Sequence, residues 1–334
     1  MRALVTGAAG FIGSNVVRTL VEEGHDVRAL HLPREDSRNL RGLDVERVAG
    51  DVTSKDDLRR AMKDRDVVFH LAAIYALWTR DADRMFRVNV EGTRNVLEIS
   101  KEVGVRRVVH TSSIARFGGQ GPDRRATEES AFALGPTGDR YARSKADAHE
   151  VAVEAARGGQ DVVIVAPCGP IGPGDAGPTP TGRLLLSAVK MPVAVVADTS
   201  TNFADVRDMA KGHVLAAERG KKGETYLLGC RDLSMKEIAR MAFAAMGIRR
   251  KRIMVAPFCV ADAAARGMRF VADRVTRSAP LFTPEAVAIA KLGLRADCTK
   301  AVRELGMPQS PVEDAVGDAM SWFVREGYLR AEGS

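Results

Sequence analysis

The feature that most constrains the fold is a glycine-rich turn between the first predicted strand and the first predicted helix. Residues 2–6 are apolar and partly β-branched, and Gly7, Gly10 and Gly13 follow at three-residue spacing. An apolar helical pattern begins at once, so the free N–H groups of its first turn and the helix dipole attract an anion. Gly7 permits a sharp turn, Gly10 permits close approach of a pyrophosphate, and Gly13 permits close packing of helix on strand.

Composition narrows the class of protein. A length of 334 residues with 45% hydrophobic residues suits one large domain or two closely joined domains. The net charge of +7 arises from 50 basic and 43 acidic residues that are interleaved, which favours small anionic ligands over nucleic acid. We interpret the basic run 249–252 as a solvated helix end rather than a polyanion site.

Cysteine and histidine spacing argues against structural cross-links. The four cysteines lie far apart without a CxxC pair, and the six histidines show no ligand spacing, which predicts reduced thiols and no metal. No apolar run approaches the roughly 18 residues of a membrane helix, so no stable membrane insertion is predicted. The first strand begins at residue 2 and leaves no room for a signal peptide, so we expect a cytoplasmic protein.

Strands alternate with helices through residue 113, which is typical of a parallel sheet with right-handed crossovers. The fold class predicted is therefore α/β, a doubly wound parallel sheet covered on both faces. Residues 1–168 are predicted to form a dinucleotide-binding domain, to which about 193–218 return. Residues 169–334 are predicted to form a smaller, mostly helical part that binds substrate. Ligands of such sheets bind beyond the carboxyl ends of the strands.

The end of the second predicted strand bears on the cofactor. In dinucleotide folds the residue at this position meets the adenosine ribose, where an acid favours NAD and an arginine accommodates the 2′-phosphate of NADP. Here the position is His31, no acid stands at the tip, and Arg34 follows closely, although the acidic Glu35 and Asp36 come directly after it. The sequence therefore favours NADP over NAD. The alternative is that the arginines of this region form only a solvated loop.

Residues after the fourth predicted strand suggest a substrate pocket. The small residues at 71–73 let a flat ligand lie against the sheet, and Tyr75 and Trp78 follow at the same edge. These two aromatic residues either line the substrate pocket or pack on the next helix. Residues 118–140 are polar and rich in glycine and proline, which predicts a flexible flap.

A tyrosine and a lysine are predicted to share one face of a long helix. Tyr141 and Lys145 are four residues apart, and Ser113 ends the fifth predicted strand. When hydride reaches a carbonyl carbon, Tyr141 can donate a proton to the oxygen and Ser113 can hydrogen-bond it. A neighbouring Lys145 ammonium is expected to lower the pKa of the phenol and to bind ribose hydroxyls. The three residues predict hydride transfer between a nicotinamide and a ketone or secondary alcohol.

Several motifs together resemble a known family. TGxxGxxG, HLAA at the fourth strand end, NVxGT, TSS, YxxxK, a later proline-rich turn, and ELG and WF near the C-terminus are similar to the extended short-chain dehydrogenase/reductases. Within this NAD-dependent epimerase/dehydratase family, the chain most resembles bacterial dihydroflavonol-reductase-like proteins, including hopanoid-associated sugar epimerases. Relatives often carry an arginine where this chain has Leu32.

The resemblance implies a Rossmann-type fold, a homodimer and a catalytic triad of Ser113, Tyr141 and Lys145. It also implies that Asp51 and Val52 lie near adenine, that Pro167 lies near the nicotinamide, and that Asn89 contributes to the active site. With the residues above, the predicted cofactor-binding set is Gly7, Gly10, Phe11, Ile12, Gly13, His31, Arg34, Asp51, Val52, Leu71, Ala72, Ala73, Asn89, Thr111, Tyr141, Lys145 and Pro167. The predicted substrate-binding set is Tyr75, Trp78, Ser113 and Thr179.

Three functions remain open at this stage. The first is a reductase or dehydrogenase that exchanges its nicotinamide, and the second is a redox-neutral sugar-nucleotide epimerase or dehydratase that retains NAD. The third is a non-catalytic binding protein, which would have no need of an intact Ser–Tyr–Lys set. The acid-free second strand and the aromatic loop favour the first.

The alanine-rich segment 260–275 is predicted to be a core-facing or dimer helix in preference to an interfacial amphipathic helix.

Overall fold

The computed structural model describes residues 1–330 except residues 77, 80, 277–279 and 281. Among these residues the strands, in chain order, are β1 (Arg2–Thr6), β2 (Asp26–His31), β3 (Glu46–Ala49), β4 (Val67–His70), β5 (Arg107–Thr111), β6 (Val162–Pro167), β7 (Gly169–Ile171), β8 (Ala194–Ala197), β9 (Ser200–Asp205), β10 (Thr225–Leu228), β11 (Arg231–Ser234) and β12 (Ile253–Ala256).

The α-helices of the same residues are α1 (Phe11–Glu22), α2 (Lys55–Met62), α3 (Ala82–Phe86), α4 (Gly92–Glu102), α5 (Arg140–Arg157), α6 (Pro180–Lys190), α7 (Val206–Arg219), α8 (Met235–Ala245), α9 (Phe258–Val271), α10 (Pro284–Leu292) and α11 (Val312–Arg325). None of these helices combines the length and the apolar composition needed to cross a bilayer.

The main sheet has seven parallel strands in the order β10-β6-β5-β4-β1-β2-β3. This arrangement confirms the predicted Rossmann-type, doubly wound α/β fold. The strand order reverses at β1, because β2 and β3 lie on one side of it and β4 to β6 on the other. A ligand crevice is therefore expected beyond the carboxyl ends of β1 and β4.

The sheet is buried on both faces, as parallel sheets are. One face packs against α1 and α7 in a core that includes Val5, Val17 and Val214. The opposite face packs against α2, α4 and α5, with Leu4 and Val68 in its core. Side chains of one strand therefore alternate between two separate apolar layers.

The second part of the chain forms two smaller sheets. One has the order β11-β9-β7, and the other is the parallel pair β12-β8. The first packs with α6, α8 and α11 around an apolar cluster that includes Phe203, Ile238 and Phe323. The second packs on α6 and α8 through a separate cluster that includes Val196 and Phe243.

The segment predicted to return to the main sheet differs in detail from the structure. Of residues 193–218, only α7 packs on the main sheet, whereas β8 and β9 belong to the smaller sheets. The strand that does join the main sheet is β10, which pairs with β6. It was not predicted, because its four residues carry too short a pattern to be distinguished from a buried loop.

The helix formed by the alanine-rich segment is not part of the core. Ala265 is the one buried residue within the described α9. The core-facing interpretation of this segment is therefore wrong. The helix packs against α10 along one side and leaves the other side exposed.

Candidate active site

The glycine turn has the geometry that its sequence predicts. Gly7 has a φ of +66°, and a Cβ there would lie 2.7 Å from the backbone nitrogen of Ala72. A Cβ at Gly13 would overlap the carbonyl oxygen of Gly7, so α1 approaches the strand as closely as a glycine allows. The Gly10 amide donates to the Gly7 carbonyl at 3.1 Å, and α1 begins at Phe11.

The predicted cofactor residues lie at one edge of the main sheet. Gly7 follows β1, His31 ends β2, Asp51 comes shortly after β3, Leu71 follows β4, and Pro167 ends β6. Because all these strands are parallel, their carboxyl ends share that edge. Thr111 ends β5 at that edge too. Its hydroxyl contacts Nε2 of His213 at 3.1 Å, on the face of the sheet that α7 covers.

A buried polar chain joins the ends of β1 and β4 to the following helix. Thr93 donates to the Asn89 carbonyl at 2.7 Å and therefore accepts from His70 Nε2 at 3.0 Å. His70 Nδ1 then accepts from the Thr6 hydroxyl at 2.8 Å, and Thr6 accepts from the Ala72 amide at 3.2 Å. Burial lowers the pKa of His70 to about 3. The neutral ring fixes the glycine turn against the loop after β4.

Asn89 positions the loop that carries the aromatic pair. It lies in a π-helical turn, Arg87–Glu91, between α3 and α4, and such turns are frequent at functional sites. Its side chain accepts from the Ile74 amide at 2.7 Å and donates to the Ile74 carbonyl at 3.1 Å. It also donates to Ser144 Oγ at 2.9 Å, and Ser144 in turn donates to the Tyr141 carbonyl at 2.8 Å. One buried amide thus links the loop to the first turn of α5.

The triad residues converge at the start of α5. The side chain of Asp139 caps the helix. Burial raises the pKa of Tyr141 to about 12, the neighbouring Ser113 side chain opposes this shift, and Asp139 adds to it. The phenol is therefore held in its protonated form at neutral pH.

Lys145 behaves differently from the sequence-based expectation. Its ammonium donates to the Thr111 carbonyl at 2.6 Å, and burial lowers its pKa to about 8. We expected this charge to lower the pKa of Tyr141, but burial of the phenol dominates and raises it. The reason is that the protein surrounds both groups and penalises the charged form of each.

The two aromatic residues of the loop have different neighbours. The Tyr75 ring lies against the Tyr141 ring, with centroids 4.5 Å apart and an interplanar angle of 44°. Tyr75 keeps 49% of its surface exposed, so it stands at the mouth of the site. Trp78 Nε1 donates to Asp273 Oδ1 at 3.1 Å, beyond the end of α9. A substrate role for either residue stays a prediction.

Thr179 has its hydroxyl engaged locally. The hydroxyl caps α6 by accepting from the Gly182 amide at 3.1 Å and donates to Asp175 Oδ2 at 2.9 Å. Asp175 also accepts from the Thr179 amide at 2.9 Å. A substrate contact of Thr179 stays a prediction, and its donor is already used in this structure.

One of the acids that follow β2 in the sequence folds back to the end of that strand. A turn brings the Glu35 carboxylate back to the Leu32 amide, at 3.0 Å, directly after His31. His31 Nδ1 donates to the Leu32 carbonyl at 2.9 Å. Arg34 is exposed and makes no ion pair with any residue that the structure describes. An acid and an arginine therefore stand together where the ribose is expected.

The adenine-side residues are also tied to their own turn. Asp51 Oδ1 accepts from the amide and the hydroxyl of Thr53, both at 2.9 Å, while Val52 is buried. The Val52 carbonyl accepts from Asn95 Nδ2 at 3.2 Å. These contacts position the loop after β3. Contact with adenine stays a prediction.

Sequence reasoning missed Ser144 and Asp139 as parts of this site, and it noted Glu35 near the end of the second strand without assigning it a contact. Asp139 had a readable signal, because an aspartate directly before a helical pattern is a preferred N-cap. Ser144 had none, since its contact with Asn89 depends on a helix from elsewhere in the chain.

Comparison with known proteins agrees with this geometry. The profile of the NAD dependent epimerase/dehydratase family matches residues 3–229. The chain belongs to this family. It is 37% identical over 332 residues to a dihydroflavonol 4-reductase-like protein of Synechocystis sp., covering 98% of this chain and 96% of the relative. It is 32% identical over 337 residues to sterol demethylase protein B of Methylococcus capsulatus, covering 98% and 100%.

A solved structure has the same fold. The crystal structure of gox2253 has a TM-score of 0.85 at 35% identity and covers 98% of this chain and 99% of its own. The family and these relatives confirm an NAD(P)-dependent oxidoreductase of the extended short-chain dehydrogenase/reductase type.

Proposed function

We propose that the protein reduces a ketone, or oxidises a secondary alcohol, of a small and fairly apolar metabolite, with NADP(H) as an exchangeable cofactor. The observation that carries this proposal is the placement of Tyr141 and buried Lys145 one turn apart on α5, with Ser113 beside Tyr141, at the carboxyl edge that holds the glycine turn.

A bound nicotinamide supplies the hydride in the reduction or accepts it in the oxidation. As hydride adds to the carbonyl carbon, the C=O π bond breaks and its electron pair moves to the oxygen. Ser113 donates a hydrogen bond to that oxygen, and Tyr141 transfers its proton there, which completes the alcohol. A phenol with a pKa of about 12 is fully protonated at neutral pH, as this step requires. In the oxidation the Tyr141 phenolate accepts the proton.

Lys145 supports both directions. Its pKa of about 8 allows a proton to enter and leave near neutral pH, and its charge stabilises the Tyr141 phenolate once that has formed. Binding of ribose hydroxyls by the same ammonium is part of this proposal.

The apolar character of the substrate is inferred from the mouth of the site. Tyr75 presents its exposed ring beside Tyr141, and Trp78 follows in the same loop. The names of the two relatives, one for a flavonoid reductase and one for sterol demethylation, support a ring compound of low polarity.

One observation favours the redox-neutral alternative, a sugar-nucleotide epimerase or dehydratase that retains NAD. The Glu35 carboxylate stands at the end of β2, where an acid favours the ribose of NAD. The two candidates differ in whether the cofactor leaves after each turnover.

The test is oxidation of NADPH by a panel of cyclic ketones, with UDP-sugars assayed in parallel. We expect turnover on apolar ketones, and we expect Tyr141→Phe to lower it by about 10² or more with little change in cofactor affinity. Tyr328→Phe is the matched control, because that hydroxyl contacts the Ala176 carbonyl away from the triad. Near-normal turnover of Tyr141→Phe would contradict the assignment. Tightly retained NAD together with epimerised UDP-sugar would support the alternative.

We further propose a cytoplasmic homodimer. Free thiols support a reducing compartment, since none of the four cysteines is in a disulfide. The Sγ atoms of Cys168 and Cys298 are 4.0 Å apart and are not bonded to each other. The resemblance to extended family members supports the dimer. Sedimentation equilibrium of the full chain tests it, and a monomer at micromolar concentration would contradict it.

A further inference from the structure

Exposed apolar side chains are concentrated in two stretches of the chain. Of the fourteen large apolar residues exposed among the described residues, ten lie within residues 191–195 and 254–282. Soluble surfaces scatter such residues singly, and a concentration of them marks an interaction site. None of the ten contributes to the triad.

The outward side of α9 is mostly apolar, with Arg266 as its exposed charged residue. Its exposed positions recur with helical period, and they include Val260, Ala264, Phe270 and Val271. Phe270 keeps 63% of its surface exposed. The inward side instead carries an ion pair, in which Arg269 binds Glu285 of α10 at 2.5 Å. A helix of a soluble protein has the opposite arrangement, with charges outside and apolar residues inside.

The small sheet before α9 is apolar on both faces. Ala194 and Val196 of β8 are buried against α8, as one face of a strand should be. Val193 and Val195 alternate with them and are exposed, and Met254 of β12 lies opposite Val195 in register with 55% of its surface exposed. An antiparallel or two-stranded surface normally carries polar residues on its solvent face.

Positive charge surrounds these apolar residues. Residues 236–274 contain nine basic and three acidic side chains, a net charge of +6 out of +7 for the whole chain. A cavity of about 810 Å³ between α8 and β12 is lined by four of the basic side chains and by no carboxylate. They are Lys236, Arg240, Arg249 and Lys251.

The basic run 249–252 thus lies between α8 and β12 rather than at a helix end. Lys251 and Ile253 line the cavity, so strand alternation places Arg252 on the opposite side, with Met254. The outer face of the small sheet therefore combines apolar side chains with an arginine at its border.

We propose that this basic–apolar face, formed by α9, β8, β12 and the run 249–252, docks on the surface of an anionic phospholipid bilayer. Apolar side chains of such a face enter the boundary between headgroups and acyl chains, and the basic side chains pair with phosphates. A second copy of the chain is disfavoured on this face, because two surfaces of the same strong positive charge repel each other.

The face is continuous with the mouth of the active site. Asp273, just beyond α9, accepts from Trp78 of the loop in which Tyr75 covers Tyr141. A docked protein would take an apolar substrate directly from the bilayer. That last step rests on the proposed function, whereas the docking itself does not.

The test is sedimentation of the full-length protein with vesicles, a measurement that does not depend on activity. We expect partition onto vesicles containing phosphatidylglycerol at least about tenfold above that onto phosphatidylcholine alone, decreasing as salt is raised. A triple variant, Val260→Ser with Phe270→Ser and Val271→Ser, should lose about tenfold of this partition. Its matched control is Val103→Ser with Val302→Ser, two exposed valines elsewhere.

A second variant tests charge without altering the apolar residues. Reversal of three exposed arginines, Arg249→Glu, Arg250→Glu and Arg252→Glu, should abolish the preference for anionic vesicles. Equal partition of the native protein onto neutral and anionic vesicles, or native-like partition of either variant, would overturn the proposal. Conversion of a dimer to a monomer by the triple valine–phenylalanine variant would assign the face to a second copy instead.

Discussion

The Tyr75 ring lies against the Tyr141 ring, with their centroids 4.5 Å apart, although the two residues come from different elements. Asn89 fixes both partners, since its side chain bonds the Ile74 backbone and Ser144 beside Tyr141. The buried side-chain amide of Asn89 therefore positions the Tyr75 ring over the Tyr141 phenol.

This contact predicts that Tyr75 controls the acidity of the phenol. Tyr75→Ala removes part of the burial that raises the pKa of Tyr141, so that pKa should fall from about 12 toward the ordinary value of about 10. Reduction needs the protonated phenol, so kcat/KM of the variant should begin to decrease at lower pH than in the native enzyme. Tyr75→Phe keeps the ring and should retain the native profile. Identical pH profiles for the alanine and phenylalanine variants would show that Tyr75 does not influence the phenol.

Burial of Lys145 predicts a pH-dependent stability. Its pKa is about 8 in the folded protein and about 10.5 in the unfolded chain, so the unfolded chain binds more protons between these values. The free energy of unfolding should therefore rise with pH across this window, by about 3 kcal/mol in total. Below pH about 8 both states are protonated, and the contribution is constant.

Urea denaturation of the cofactor-free protein at several pH values measures this effect. Lys145→Met removes the titrating group, so the native protein should gain stability relative to the variant as pH rises from about 8 to about 10. Lys63→Met, at an exposed position, should remain parallel to the native protein. A constant difference between native protein and Lys145→Met would contradict the buried ammonium.

The sequence predicted the elements whose signals are local. The strand, glycine turn and helix at the N-terminus depend on Gly7 and Gly13. Gly13 must lack a side chain because it packs on the backbone of Gly7, and Gly7 must lack one because the loop after β4 passes close to it. The Tyr141–Lys145 spacing likewise depends only on helix geometry. These parts of the fold and site could be predicted for that reason.

The contacts that depend on tertiary structure could not be predicted. The Tyr75 ring packs on the Tyr141 ring from a different element, and the Glu35 carboxylate reaches the Leu32 amide only through the fold of its turn. For α9, the pattern showed an amphipathic helix but could not show which side faces the protein.

A buried histidine without partners predicts a second pH effect. Neither ring nitrogen of His110 has a hydrogen-bond partner within the described residues, and burial, with nearby Lys145, His70 and His149, holds its pKa well below the usual range. The unfolded chain therefore takes up this proton first on acidification. The associated stability is complete above pH about 6.5 and is lost below it.

His110→Leu should remove that loss. At neutral pH the unfolding free energy of this variant should equal or exceed that of the native protein, because no hydrogen bond is broken. Below pH about 6.5 the difference in unfolding free energy, in favour of the variant, should grow by about 1.4 kcal/mol per pH unit. His70→Leu is the contrasting variant, since it leaves Thr6 and Thr93 without their buried partner and should cost about 1–3 kcal/mol at neutral pH. Equal destabilisation by both variants in urea titrations would indicate that His110 has a partner after all.

The cofactor preference depends on two side chains at the end of β2. Arg34 is available to pair with a 2′-phosphate, whereas the Glu35 carboxylate on the Leu32 amide would repel it. We expect NADPH to bind at least about tenfold more tightly than NADH, since a charge-assisted contact is worth at least that factor. Arg34→Ala should remove most of the gap and leave NADH affinity nearly unchanged, and Glu35→Gln should widen it.

His31→Asp provides the opposite change at the same edge. A carboxylate there should accept from a ribose hydroxyl of NADH and repel the phosphate of NADPH, so the preference should reverse. Fluorescence titration of the native protein and each variant with both cofactors measures these affinities. If the native protein prefers NADH, or is purified with NAD that dialysis does not remove, Glu35 outweighs Arg34. The redox-neutral epimerase then becomes the better explanation, because an enzyme that never releases its NAD needs no separate supply of reductant.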